Sequence, residues 1–276
     1  MAPGGNSAQR RLAVLGQPVS HSRSPAIHNA AMAALGIEDE WSYEAIEVDP
    51  AEFAERVRAM PGQGFVGANV TVPHKLAALQ LADERSSAAG EIGAANTLLF
   101  EGGAIRADNT DAEGLLAALP GPASGHSALV LGAGGAGRAA VWALTGEGAS
   151  VSIWNRTAAR AADLAAELGA TALDETECER QVTEADVIVN ATAVGLAGED
   201  PFAQLPLRSD SLRSGQTVVD LVYGDQETAL TRAARAAGAD VVDGREVLVR
   251  QGAASFRLWT GLEPPLDVMR AAVRAG

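Results

Sequence analysis

The chain predicts an α/β fold built on a mostly parallel sheet, and three observations carry that expectation. Short apolar runs alternate with alanine-rich helical stretches from residue 12 onward. One run, Ala128–Leu131, leads into Gly132-Ala133-Gly134-Gly135-Ala136-Gly137 and then into a further apolar stretch, the strand–turn–helix setting in which G-x-G-x-x-G receives a dinucleotide. A length of 276 residues with 47% apolar side chains suits one large domain or two ordinary ones with a real core.

In chain order the runs predict strands at Leu12–Leu15, Trp41–Val48, Gly67–Val72, Thr97–Phe100, Ala128–Leu131, Ser150–Trp154, Val187–Asn190, Val218–Leu221 and Ala239–Val242. Helices are expected at Pro25–Leu35, Glu52–Met60, His74–Asp83, Glu113–Ala118, Ala136–Gly146, Ala158–Leu168, Glu227–Ala237, Glu246–Thr260 and Leu266–Arg274. Pro120-Gly-Pro-Ala-Ser-Gly125 reads as a linker ahead of the glycine-rich unit, and near Gly244 a strand gives way to a long terminal helix. Residues 1–9, rich in Gly, Ser, Asn, Pro and Ala, read as a disordered tail.

A net charge of −14 with no basic run argues against nucleic acid and acidic membranes as partners. An anionic substrate would then need a local positive site. The single cysteine, Cys178, excludes an intrachain disulfide and a cysteine-rich metal site, and no metal is expected; a cytoplasmic protein is the default. Arg10-Arg11 stands before an apolar run that breaks at Gly16-Gln17-Pro18, too short for an export signal, and no stretch is long enough to span a membrane.

The strand Ser150–Trp154 ends where a site for NAD would place an acid on the ribose hydroxyls. Asn155-Arg156-Thr157 stands there instead, with Arg160 one turn on. A carboxylate would repel a 2′-phosphate, whereas guanidinium groups bind it in a fork, so the sequence favours NADP over NAD. Thr157 is also expected to cap the helix that follows.

Lys75 is the only lysine; every other basic residue among the 21 Lys and Arg is arginine. Arginine stays protonated, while a lysine can act as an acid or base in the right surroundings. Lys75 lies in Asn69-Val-Thr71-Val-Pro-His-Lys75, where a strand runs into a helix start at about Pro73. A cation in the first turn faces the positive end of the helix dipole, which favours the uncharged amine and is a poor place for a surface lysine. His74 reads as packing. In Ser20-His-Ser22-Arg-Ser24-Pro25, Ser24 suits an N-cap and Pro25 the first helical position. That leaves the Ser22 hydroxyl without a capping duty, beside a helix start that favours a carboxylate. In Asp108-Asn-Thr110-Asp111-Ala-Glu113, Thr110 and Glu113 fit a capping box, leaving Asp111 to complement the dipole or to orient the amine of Lys75. Asn96, where a strand starts, suggests a hydrogen-bonding task.

Together these segments resemble the shikimate dehydrogenase family. S-x-S-x-S-P matches Ser20–Pro25, N-V-T-x-P-x-K matches Asn69–Lys75, A-x-N-T-L matches Ala94–Leu98 and D-N-T-D matches Asp108–Asp111. G-A-G-G-A matches Gly132–Ala136, N-R-T matches Asn155–Thr157, N-A-T-x-x-G matches Asn190–Gly195, D-x-x-Y matches Asp220–Tyr223 and D-G-x-x-x-L-V-x-Q matches Asp243–Gln251. The resemblance implies an N-terminal α/β substrate domain (residues 1–111), a Rossmann-type NADP-binding domain (112–244) and C-terminal helices (245–276) that return to the first domain. It implies reversible NADPH-dependent reduction of 3-dehydroshikimate to shikimate, with Lys75 and Asp111 as the catalytic pair. Ser22, Ser24 and Tyr223 would hold the substrate carboxylate, and Thr71, Asn96 and Gln251 the ring substituents. Ala191 and Thr192 would lie near the cofactor, with Leu221 and Gly244 lining the nicotinamide pocket.

Two departures stand out. Gly224-Asp225 and Thr228-Ala229 replace the family's frequent Asn-Pro and Thr-Pro, from which a looser loop beside the carboxylate site is expected. Ser24 is retained where quinate-accepting relatives often lack it, which favours shikimate. A quinate or aminoshikimate dehydrogenase, a Schiff-base lysine enzyme and a catalytically silent NADP-binding regulator are the alternative readings. A monomer or a homodimer is expected.

Overall fold

Every strand expected from the sequence forms, and three more join them. The computed structural model describes residues 9–224 and 226–275, so the predicted tail lies outside the described residues except for Gln9, whose amide donates to Glu38 O at 3.3 Å. The first part of the chain forms β1 (Arg10–Gly16), α1 (Ser24–Leu35), β2 (Trp41–Glu47), α2 (Phe53–Ala59), β3 (Phe65–Val70), α3 (Lys75–Leu81), β4 (Glu84–Arg85), α4 (Ser87–Ile92), β5 (Thr97–Glu101) and β6 (Ala104–Asp108). Then come α5 (Asp111–Ala118), β7 (Ser127–Leu131), α6 (Gly135–Gly146), β8 (Ser150–Trp154), α7 (Ala158–Leu168), β9 (Thr171–Ala172), α8 (Glu175–Glu184) and β10 (Val187–Asn190). The chain closes with α9 (Pro201–Gln204), β11 (Thr217–Asp220), α10 (Ala229–Ala236), β12 (Asp240–Asp243), α11 (Gly244–Thr260) and α12 (Leu266–Ala275). Contacts divide it into two units, Met1–Thr110 with Gly252–Gly276, and Asp111–Gln251. Among the described residues no helix is long and apolar enough to cross a membrane.

The second unit holds one parallel sheet in the order β12-β11-β10-β7-β8-β9. Its strands are apolar on both faces because both are covered. Ala128 and Val130 join Val189, Val219 and residues of α5, α6 and α7 in one core; Leu129 and Leu131 join Ile188, Val218 and residues of α8 and α10 in the other. The order reverses between β7 and β10, and ligands of such sheets bind beyond the strand ends at that point.

The first unit's sheet, β2-β1-β3-β5-β6-β4, is mixed rather than parallel. β5 runs against β3 and forms a hairpin with β6. The hairpin turns on Gly102 and Gly103, both at positive φ (59° and 86°), the backbone a two-residue turn demands. β3 stops at Val70, two residues earlier than expected: Thr71 N–H still bonds Leu15 O of β1 (2.8 Å), but Val72 beyond it is 56% exposed. α12 packs on α1, returning the C-terminus to the first unit.

The contact division falls within the helix α11, at Gln251/Gly252. Its first half packs into the second unit's core through Val247. Its second half carries Phe256 and Trp259, and the indole N–H of Trp259 donates to Leu98 O at 3.0 Å in the first unit.

Those aromatics surround His28, which is fully buried, stacks on Tyr43 (centroids 4.3 Å apart, planes 3° from parallel) and stacks more loosely on Phe256. Neither ring nitrogen has a partner with hydrogen-bond geometry. Burial holds the imidazole pKa down to about 3, opposed only in part by the Asn69 side chain. A histidine held neutral in the fold and free to charge when unfolded contributes fully above its unfolded pKa of about 6.5, and its contribution is lost as pH falls toward the folded value. His28→Phe is therefore expected to reduce acid sensitivity. Between pH 6.5 and 5 the wild type should lose about 2 kcal/mol more than the variant in urea unfolding, at about 1.4 kcal/mol per pH unit. Equal losses would contradict this.

Candidate active site

Lys75 is the first residue of α3, half-buried, and its carbonyl accepts from Ala95 N–H at 2.9 Å. The next residue along, Asn96, is 2% exposed and ties four segments together. Its amide nitrogen donates to Thr110 Oγ1 (2.9 Å) and its amide oxygen accepts from Thr110 N–H (2.7 Å) and Thr97 Oγ1 (3.0 Å). Its backbone carbonyl accepts from Val70 N–H (2.7 Å) and from the side chain of Asn69 (3.2 Å), whose own oxygen accepts from the Tyr43 hydroxyl (2.7 Å). Asn109 donates its amide to Ala94 O at 2.9 Å. Asp111 follows as the first residue of α5 and is half-buried. Lys75 and the two residues that precede Asp111, Asn109 and Thr110, are thus all bonded to residues 94–96 within the first unit. The role of Thr110 as the partner of Asn96 is missed by sequence reasoning, which sees in it only a cap.

The serines differ from expectation. Ser24 is not the N-cap; it is the first residue of α1, with Arg23 in the cap position and no side-chain cap bond, and Pro25 is second. Ser22 has the local duty instead, since its Oγ accepts from Ser24 N–H at 3.3 Å, a short turn that competes with capping. Ser24 is 3% exposed and Ser22 half-buried. His74 is packing: it is 2% exposed, stacked on Phe53 and bonded through Nε2 to Val48 O at 2.9 Å. Thr71 is half-buried where β3 ends.

In the second unit the glycine turn lies at the end of β7, at the sheet's switch point. Gly137 is there for packing, since a Cβ would lie 1.9 Å from Gly132 O. Around Gly134 the space is open, and no side chain caps α6 there, so its first-turn N–H groups face an uncrowded position. That cradle fits a pyrophosphate. Asn155 fixes it, accepting from Ala133 N–H (3.0 Å) and donating to Thr157 O (2.9 Å). Thr157 occupies the N-cap of α7 but makes no side-chain cap bond, contrary to expectation; its backbone oxygen is engaged instead. Arg156 and Arg160 are exposed and form no ion pair among the described residues. Gly135 and Ala136 open α6.

Ala191 and Thr192 follow β10, and Thr192 bonds Asn190 Oδ1 through both its N–H (3.1 Å) and its hydroxyl (2.7 Å). Leu221 and Tyr223 follow β11 and are half-buried. Gly244 opens α11, and a Cβ there would meet the carbonyls of Asp220 and Leu221 at 2.7 and 2.8 Å. Gln251, 8% exposed, is crossed by α5 so closely that a Cβ on Gly114 would lie 2.6 Å from its Cβ. Of the loop expected to be loose, Asp225 lies outside the described residues. Its flanks are tied: Gly224 O accepts from Arg245, and Thr228 Oγ1 caps α10 and donates to Asp220 at 2.6 Å.

A parallel sheet of this order, with a glycine turn and two arginines free of ion pairs among the described residues at its switch point, next in sequence to an α/β unit of its own, defines a dinucleotide-dependent dehydrogenase of the two-domain type. Comparison with known proteins narrows the class. Family profiles match residues 14–98 (shikimate dehydrogenase substrate binding domain), 116–197 (shikimate/quinate 5-dehydrogenase) and 244–274 (shikimate 5′-dehydrogenase C-terminal domain). Shikimate dehydrogenase (NADP(+)) of Methanocella arvoryzae is 45% identical over 271 residues, covering 95% of this chain and 97% of the relative. The crystal structure of shikimate 5-dehydrogenase from Thermus thermophilus in complex with NADP(H) and shikimate is 43% identical, with a TM-score of 0.87 over 96% of this chain and 99% of that one. The Aquifex aeolicus shikimate dehydrogenase structure is 38% identical, with a TM-score of 0.89 over 98% and 99%. The chain belongs to the shikimate dehydrogenase family.

The two glycines separate packing from binding. Gly137→Ala is expected to destabilise the second unit by about 2 kcal/mol or more through overpacking. Gly134→Ala should leave the melting temperature unchanged and weaken dinucleotide binding, because its methyl would enter the cradle. Calorimetry and fluorescence titration with NADPH check both; a stable, binding-competent Gly137→Ala protein would contradict the packing argument.

Proposed function

We propose that the protein catalyses the reversible, NADPH-dependent reduction of 3-dehydroshikimate to shikimate. The observation that carries this reading is that Lys75 and Thr110, the residue before Asp111, bond to adjacent residues: Ala95 N–H bonds Lys75 O at 2.9 Å, and Asn96 bonds Thr110 at 2.7 and 2.9 Å. NADPH, when bound, supplies the hydride. The Lys75 ammonium gives a proton to the C3 oxygen as alkoxide charge develops there, and in the reverse direction the amine takes it back. Asp111 holds and orients the amine. Ser22, Ser24 and Tyr223 receive the substrate carboxylate, and Thr71, Asn96 and Gln251 the ring hydroxyls, which fixes the carbonyl before Lys75. Arg156 and Arg160 hold the 2′-phosphate, Asn155 and Thr157 shape the turn beneath it, and Gly132–Ala136 receive the pyrophosphate. Ala191, Thr192, Leu221 and Gly244 border the nicotinamide.

Ser24 supports shikimate over quinate. A charge of −14 supports a protein without nucleic-acid or acidic-membrane partners, and the single cysteine a cytoplasmic one, read as a monomer or homodimer.

Positioned general acid catalysis contributes about 10²–10⁴-fold. Lys75→Ala is expected to lower kcat by about that factor while changing the KM for shikimate much less. Steady-state kinetics with shikimate and NADP check this, and near-normal turnover would remove Lys75 from the mechanism.

A further inference from the structure

A buried acid outside the proposed catalytic pair stands at the end of β11, an interior strand of the second unit's sheet. Asp220, the last residue of β11, is 1% exposed and has no cationic partner among the described residues. Three donors converge on it instead. Oδ1 accepts from Asn190 Nδ2 (2.9 Å) and Val222 N–H (3.2 Å), and Oδ2 accepts from the Thr228 hydroxyl (2.6 Å). Each donor leads elsewhere. Asn190, fully buried at the end of β10, holds Thr192 through its amide oxygen, and Thr192 Oγ1 in turn accepts from Val194 N–H at 3.1 Å. Val222 lies in the segment that carries Leu221 and Tyr223. Thr228 starts α10, accepting from Thr231 N–H at 3.2 Å. The Asp220 and Leu221 carbonyls also form the surface against which Gly244 packs without a side chain. Burial raises the carboxyl pKa, with hydrogen bonds to Thr228 and Asn190 opposing. A carboxyl held there without a cation costs stability unless its donors are all in place.

We infer that Asp220 is a positioning residue for cofactor binding: its carboxyl locks residues 191–194 to residues 221–223, so that both sides of the nicotinamide pocket are set by one group. The inference rests on the proposal that Ala191, Thr192, Leu221 and Gly244 border the cofactor. Asn can replace Asp here, because its oxygen still accepts from Asn190 and Val222 while its amide donates to Thr228 Oγ1. Ala cannot.

The test measures the NADPH Kd of the full-length protein by nicotinamide fluorescence, beside its melting temperature and its KM for shikimate. Asp220→Ala is expected to weaken NADPH binding about tenfold, the loss of roughly one buried charge-assisted hydrogen bond, with Asp220→Asn restoring most of it. A wild-type Kd in Asp220→Ala, with only a lower melting temperature, would reduce Asp220 to a structural acid and overturn the inference. Should Asp220→Ala not fold, Thr228→Val removes one donor; a Kd raised about threefold supports the inference and an unchanged Kd overturns it. A wild-type protein that binds no NADPH refutes the cofactor assignment itself, a failure distinct from wild-type binding that ignores Asp220.

Discussion

The first unit depends on a buried side-chain amide at the start of β5. Asn96 enters β5 with every polar group engaged: backbone N–H to Asp108, carbonyl to Val70, side chain to Thr110 and Thr97. It is 2% exposed, so an unmade bond there would leave a desolvated donor or acceptor at a cost of about 1–3 kcal/mol. That cost makes the arrangement close to all-or-none. The same residues that complete the sheet therefore fix the start of α3, where Lys75 stands, and Thr110, the last residue of the first unit. Rigid elements hold a catalytic group more closely than loops do.

The second unit solves the same problem differently. Its parallel sheet is buried on both faces, which leaves the strand ends as the places where polar groups can meet a ligand. The glycine turn, the Asn155 bridge and the Asn190–Asp220 pair all stand at those ends. Packing demands Gly137 and Gly244, while the open space at Gly134 is what a phosphate needs. The arginines that follow β8 carry positive charge to one point of a chain that is negative as a whole. In the proposed role, two guanidinium groups at that point would favour a 2′-phosphate over an unphosphorylated ribose.

Much of this is legible in the sequence, because periodicity and punctuation are local signals. β8, β10 and α7 fall where the apolar runs place them, and the glycine turn has its expected strand and helix. What escapes are elements with little apolar content or little length. α8 buries only Cys178 and Val182 on an otherwise charged helix, though Asp174 and Glu177 announce it with a capping box. β6 is hidden by Arg106 and Asp108, and its signal is the Gly102-Gly103 turn. The capping duties expected of Ser24 and Thr157 fail for one reason. A side-chain oxygen near a helix start has several backbone partners within reach, and the choice among them is made by the chain's path, which spacing does not encode. Long-range pairings such as Asn69 with Tyr43 are out of reach altogether, since 26 residues separate them.

The central claim joins a cofactor to a substrate, so the most direct measurement varies both. Nicotinamide absorbance would be followed with shikimate and with quinate, each offered with NADP and with NAD. The account requires shikimate with NADP to turn over far faster than any other combination. Equal rates with NAD would contradict the role of Arg156 and Arg160, faster oxidation of quinate would contradict that of Ser24, and no turnover on either acid would contradict the proposed chemistry as a whole.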